Sequence, residues 1–154
     1  MPTKPIPDGY STITPYLILK GAAAALDYYK KAFGAEEIMR YADPSGAVMH
    51  AEIKIGNSII MLGEENLQEG FQSAKTLGGA AVGLHLYVED SDKWFARALK
   101  AGGKEQRPMQ DQFYGDRSGT LVDPFGQLWT ISTHKEDVSP DEMKRRMKAM
   151  MSQK

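Results

Sequence analysis

The chain contains no cysteine. That absence excludes a disulfide scaffold, a thiolate zinc site and a cysteine nucleophile. Nor does it carry a surplus of either charge: 19 Lys and Arg stand against 20 Asp and Glu, for a net charge of −1. A protein that coats nucleic acid or an anionic membrane needs a basic excess, so neither partner is expected. No run approaches the roughly 18 apolar residues of a spanning helix. The opening stretch, MPTKPIPDGYSTI, has prolines and charge where a secretory signal has its apolar segment. A cytoplasmic location fits these absences. The glycine pairs lack the Lys-Ser/Thr of a phosphate loop and the spacing of a dinucleotide fingerprint, and no serine nucleophile elbow is present.

What is present is an ordinary globular composition, 154 residues with 42% hydrophobic and 25% charged. That length suits one domain able to bury a core without staples. Residues 1–9 are polar and proline-rich and read as an extended arm. A β-rich run follows from Tyr10 to Lys20. An alanine-rich helix then covers about 22–33, with Leu26, Tyr29 and Phe33 on one apolar stripe and Gly34 as its C-cap. Strands EEIMRYA, VMHAEIKI and SIIMLG come next, the first two separated by the Asp43-Pro44-Ser45-Gly46 turn. Residues 64–79 are polar and glycine-bearing and read as a linker.

The same order then returns. A strand, AAVGLHLYV, precedes the acidic Glu89-Asp90-Ser91-Asp92, which suits a helix N-terminus. A helix over about 92–101 ends at Gly102-Gly103, and further strands surround the turn Asp123-Pro124-Phe125-Gly126. Lys31-Ala32-Phe33-Gly34 overlays Lys100-Ala101-Gly102-Gly103 at a spacing of 69, and Ile55-Gly56-Asn57 overlays Phe125-Gly126-Gln127 at 70. A βαβββ unit therefore occurs twice, in modules of about 10–63 and 80–135. The fold class expected is α+β.

The tail, 136–154, is separate. Ser139-Pro140-Asp141-Glu142 has the form of a capping box with proline at the first helical position. Met143, Met147, Met150 and Met151 then recur on one face of an amphipathic helix. Such a face either packs on its own domain or meets a second copy.

A doubled βαβββ unit resembles the vicinal oxygen chelate superfamily, which includes glyoxalase I, bleomycin-resistance proteins, fosfomycin-resistance enzymes and extradiol dioxygenases. The stretches that carry the resemblance are Ala24 and Leu26 through Gly34, His50-Ala51-Glu52-Ile53, Val88 through Asp92 with Gly102-Gly103, and the pair Tyr114-Gly115-Asp116-Arg117 and Asp123-Pro124-Phe125-Gly126. The last two look like the closing hairpin of the PhnB-like branch. The resemblance implies two tandem modules forming an open, cup-shaped, eight-stranded mixed sheet with helices on its outer face, and a homodimer.

Strand alternation assigns faces without help from the family. Ala51, Ile53 and Ile55 form an apolar face, so His50, Glu52 and Lys54 point the other way. By the same logic Thr14, Tyr16 and Ile18, then Gly83, His85 and Tyr87, then Asp116, Ser118 and Thr120, then Leu128, Thr130 and Ser132 face the cup. With Tyr114, these are the residue types that recognise a small polar molecule. The expected ligand-binding set is Tyr16, His85, Tyr87, Tyr114, Asp116, Ser118, Thr120 and Thr130. His50 and Glu52, neighbours about 7 Å apart along one strand face, make the candidate catalytic pair, an imidazole beside a carboxylate. His134 reads as a surface residue.

In the metal-using relatives the ligands sit on the first, fourth, fifth and eighth strands. Carried over, those positions fall on Thr14, Ile60, Gly83 and Thr130, none of them a good ligand. No cofactor is therefore expected. A displaced divalent-metal site would have to use His50, Glu52 and His85. Three functions stay open: a metal-free binder of a small polar molecule, a metal-dependent lyase or isomerase resembling glyoxalase I, and a dimeric interaction module with a vestigial cup.

Overall fold

A computed structural model describes residues 2–153 of the chain. Eight strands and four helices follow in the order β1 (Tyr16–Leu19), α1 (Ala22–Phe33), β2 (Glu36–Ala42), β3 (Val48–Ile55), β4 (Ser58–Glu64), α2 (Ala74–Leu77), β5 (Gly83–Tyr87), α3 (Ser91–Lys100), β6 (Lys104–Asp111), β7 (Asp116–Val122), β8 (Leu128–His134) and α4 (Pro140–Met151). The strands form two four-stranded mixed sheets, β1-β4-β3-β2 and β5-β8-β7-β6. Each sheet repeats one plan. Its first strand runs parallel to its last, and the other pairs are antiparallel. The fold is the α+β, twice-repeated βαβββ architecture expected from the repeat.

Helix α1 starts without a side-chain cap of its own, because its N-cap is Gly21. Glu64, at the end of β4, supplies the cap from across the module. Its two carboxylate oxygens accept from the Gly21 and Ala22 amides, each at 2.8 Å. A carboxylate there satisfies two orphan donors and meets the positive end of the helix dipole. Gly34 ends the helix at φ 63°, its N–H donating to Lys30. The stripe read as apolar is buried along its whole length, with Leu26, Tyr29 and Phe33 all inaccessible.

The two modules share one core. Ala51, Ile53, Leu62, Leu121, Trp129 and Ile131 bury the helix-facing sides of both sheets together with α1. Phe33 of α1 lies with its ring centroid 4.6 Å from that of Trp129 on β8. The Tyr28 hydroxyl donates to the Ala98 carbonyl of α3. Burying these apolar surfaces is the main stabilising contribution, about 25 cal/mol per Å² removed from water.

Three departures from the sequence reading have local causes. The first strand begins at Tyr16 rather than Tyr10. Pro15 has no N–H for the ladder, and the preceding residues turn on themselves, Tyr10 N–H donating to Pro7 and Thr14 Oγ1 to the Ser11 carbonyl. The segment read as a linker contains a 3-10 turn over Leu67–Glu69 and the short helix α2. Asn66 caps the first, Ser73 caps the second, and Glu65 accepts from both the Ser73 amide and Thr76. In α4 the Ser139 hydroxyl accepts from the Glu142 amide as expected, but Glu142 does not reach back; its carboxylate holds Arg145 and Arg146. Arg146 also binds the Phe113 carbonyl and the Glu136 carboxylate, which docks α4 on the second module.

Candidate functional site

The sheet faces turned away from the helices carry the predicted polar residues, and they are open. Tyr16, Tyr41 and Tyr87 are 48%, 63% and 64% exposed there. The residues fall into two groups, one on each sheet.

On the first sheet β3 brings His50 and Glu52 together. Their side chains meet, His50 Nε2 lying 3.1 Å from Glu52 Oε1. On its other side His50 Nδ1 lies 3.2 Å from the Tyr16 hydroxyl of β1. The second Glu52 oxygen accepts from the Tyr10 hydroxyl, delivered by the N-terminal arm. Tyr10, Glu52, His50 and Tyr16 thus form one chain of hydrogen bonds. A carboxylate only accepts, so in the neutral imidazole the proton sits on Nε2 and Nδ1 accepts from Tyr16. The free end of the chain is therefore the half-exposed Tyr16 phenol rather than His50 itself. Glu52 is 5% exposed although it sits on the open face. The arm accounts for this, since Pro5, Ile6, Pro7, Tyr10 and Thr14 wall a cavity of about 380 Å³ over Glu52 and Met61.

On the second sheet the register aligns two rows across all four strands. Arg107, Thr120, Thr130 and His85 are successive cross-strand partners, and so are Gln110, Ser118, Ser132 and Tyr87. The rows are knitted by hydrogen bonds: Thr120 to Thr130 at 3.0 Å, His85 Nε2 to Ser132 at 2.7 Å, and Tyr114 to Ser118 at 3.3 Å. The His85 and Tyr87 rings stack at 4.7 Å. Most of these side chains line an open cavity of about 570 Å³, with Met150 of α4 at its edge.

Beside these rows, Asp116 is buried and fully engaged. Tyr87 donates to one oxygen and His134 Nδ1 binds the other, each at 2.8 Å. His134 Nε2 then meets Asp137 at 2.8 Å. These two carboxylates raise the imidazole pKa, Asp116 most. The same bond to Asp116 raises the Tyr87 phenol. His134 lies at the surface at the end of β8, as expected, with half its side chain exposed, and it also bridges β8 to the segment leading into α4. The signal was present, because His134 continues the Leu128, Thr130, Ser132 alternation by one step.

Tyr10 and Arg107 were not found from sequence. Tyr10 lies in a run with no periodicity that links it to β3. Arg107 sits between two register shifts in β6, at Glu105/Arg107 and Arg107/Gln110, which break the alternation that assigns faces.

The positions where metal-using relatives place ligands do not fit a metal. Thr14 precedes β1 and bonds to its own turn. Ile60 is buried in the core opposite Ile53. Gly83 has no side chain, and the Thr130 hydroxyl is bound to Thr120. The displaced set is not assembled either. His50 and Glu52 bond each other on the first sheet while His85 lines the second-sheet cavity, and among the described residues no group of three or more His, Asp or Glu is placed to hold an ion.

A doubled βαβββ fold with open polar sheet faces defines the class of protein. The chain belongs to the Glyoxalase/Bleomycin resistance protein/Dioxygenase superfamily, whose model matches residues 13–131. An uncharacterized protein of Mycobacterium tuberculosis, Rv0887c, is 38% identical over 138 residues, covering 88% of this chain and 81% of that protein. The X-ray structure of the Arabidopsis thaliana gene product At5g48480 superposes with a TM-score of 0.67 at 25% identity, over 80% of this chain and 98% of that one. The PhnB protein from Bacillus cereus shares the fold, with a TM-score of 0.63 at 19% identity over 80% of this chain and 99% of that one.

Proposed function

We propose that this chain binds a small polar molecule on the open face of its second sheet, without the divalent metal typical of its relatives. The observation that carries this reading is the pair of aligned polar rows, in which His85, Thr120, Thr130 and Ser118 face one cavity large enough for a small ligand. The donor set supports the metal-free form, since threonine, isoleucine and glycine replace the usual ligands. Calorimetric titration and thermal shift against a panel of small polar molecules, antibiotics included, test it. The reading expects saturable stabilisation that weakens in His85→Ala and Thr130→Val, with no change in metal content. Stoichiometric nickel, zinc or manganese in the purified protein, lost in His85→Ala, would overturn it.

One observation favours a second reading, proton transfer. The Tyr10–Glu52–His50–Tyr16 chain ends on a phenol open to solvent. In that role His50 accepts the Tyr16 proton, Glu52 holds the resulting imidazolium, and the tyrosinate acts as base. Lyase or isomerase turnover that survives chelation and is lost in both Tyr16→Phe and His50→Gln supports it. Turnover unaffected by either substitution would remove it.

We also propose a homodimer. Ile38, Tyr41 and Met49 lie exposed on the first sheet and Tyr87 on the second, apolar side chains that a second copy would cover. Light scattering should give twice 17.1 kDa; a mass equal to one chain would refute the assembly.

A further inference from the structure

The second-sheet cavity has an electrostatic bias. Its lining includes Arg107 and His85 but no aspartate or glutamate. Among the described residues, every other arginine is held. Arg40 bonds Glu37, and Arg97 bonds the Lys30 and Lys31 carbonyls. Arg117 bonds Asp92, and Arg145 and Arg146 bond Glu142. Arg107 has no hydrogen bond or ion pair among them, yet it opens the row that continues through Thr120 and Thr130 to His85. Its pairing with Thr120, between two register shifts of β6, places it on this face. Asp116 is bonded to Tyr87 and His134 and Asp111 to Arg117, while Glu105 pairs with the core-facing Leu121 and not with this row.

A guanidinium presents a flat fork of donors that matches a carboxylate in two parallel hydrogen bonds. Gln110 and the one hydroxyl proton that the Thr120–Thr130 bond leaves free add donors beside it, while Phe113, Tyr114 and Met150 supply apolar wall. A cationic ligand would meet Arg107 with like charge, and a neutral polyol would leave its fork unused. We infer that the ligand of this cavity is an organic acid, its carboxylate on Arg107 and its apolar body against Phe113, Tyr114 and the α4 methionine. This inference rests on the reading of the second-sheet face as the binding site and adds the chemical class of what binds.

Matched pairs test it. Benzoate, phenylacetate, indole-3-acetate and hexanoate are each titrated beside the corresponding primary amide, with neutral polyols as a third arm, at constant ionic strength. The acids should bind at least ten-fold tighter than their amides. Arg107→Gln should abolish that preference while leaving the melting temperature in place, and Arg145→Gln, which alters an exposed arginine on α4, should not. Acids and amides binding alike, unchanged by Arg107→Gln, would overturn the organic-acid assignment and leave the binding site standing. Polyols binding while acids do not would do the same. A panel in which none of the three arms binds would overturn both.

Discussion

The Tyr29 hydroxyl donates to Asp123 Oδ2 at 2.8 Å, joining the first module's helix to the second module's turn. The same oxygen accepts from Trp129 Nε1 at 2.9 Å, and Oδ1 accepts from the Phe125 and Gln127 amides. Burial raises the Asp123 pKa, and these four donors pull against that shift. The carboxylate is a four-donor polar knot in a largely apolar core. Tyr29→Phe removes one donor and keeps the ring, so it should cost about 1–2 kcal/mol. Asp123→Ala strands an indole, a phenol and two amides in the core and should cost on the order of 3 kcal/mol or more. Urea denaturation at neutral pH checks the order. A Tyr29→Phe loss near zero would show that the knot does not couple the modules.

Glu64 gives a second prediction. Because it caps α1 from another strand, Glu64→Ala should cost about 1–2 kcal/mol, although Glu64 lies far from α1 in sequence. Glu64→Gln keeps one acceptor and should recover part of that loss. Hydrogen exchange at the first turn of α1 locates the effect; a loss spread evenly over the molecule would argue against a capping role.

His134 makes the α4 attachment sensitive to pH. Its imidazole faces Asp116 and Asp137, and both raise its pKa in the folded chain. The native state therefore holds this proton more tightly than the unfolded one. The contact contributes fully below the ordinary histidine value of about 6.5 and is lost as pH rises through the raised native value. Protection factors, which divide out the intrinsic rise of amide exchange with pH, should fall in residues 135–139 and α4 across that window, and His134→Gln should flatten the response. Protection that falls on acidification instead would contradict the assignment.

Gly115 holds the same region from the backbone side. It sits at φ +100°, its carbonyl accepts from the Lys135 and Glu136 amides, and a Cβ there would collide with the Glu136 carbonyl. Gly115→Ala should cost about 1–3 kcal/mol through strain and displacement, with loosened α4 docking seen as faster proteolysis after Lys135. Gly46 has a similar φ of +89° with no atom within 4 Å. Its alanine variant therefore measures the backbone component alone and should lose less.

Much of this was legible in the sequence. The periodicity of 22–33 placed α1, the overlay of Gly56 on Gly126 revealed the repeat, and alternation put His50 with Glu52 and Thr120 with Thr130 on open faces. The parts that escaped share a cause. Tyr29 read as one more apolar-stripe residue, because a helical period says nothing of where a hydroxyl ends. Arg107 escaped because bulges reset the strand parity on either side of it. Residues 64–79 read as linker because caps at Asn66 and Ser73 stabilise helical turns too short to show a period.

The division follows the range of the forces. Helix and strand periods, turn glycines and the helix caps at Ser139 and Asp90 depend on residues within a few positions, so the sequence by itself determined the longer elements, the faces of the regular strands and the doubled unit. Tertiary structure alone decided which polar groups meet. Glu52 is capped by Tyr10 from 42 residues away and Asp123 by Tyr29 from 94. Such partners are chosen by sheet register and helix docking, which hydrophobic burial sets across the whole chain. The same burial, with its bulges, left Arg107 as the arginine without a protein partner among the described residues, at the edge of a polar cavity.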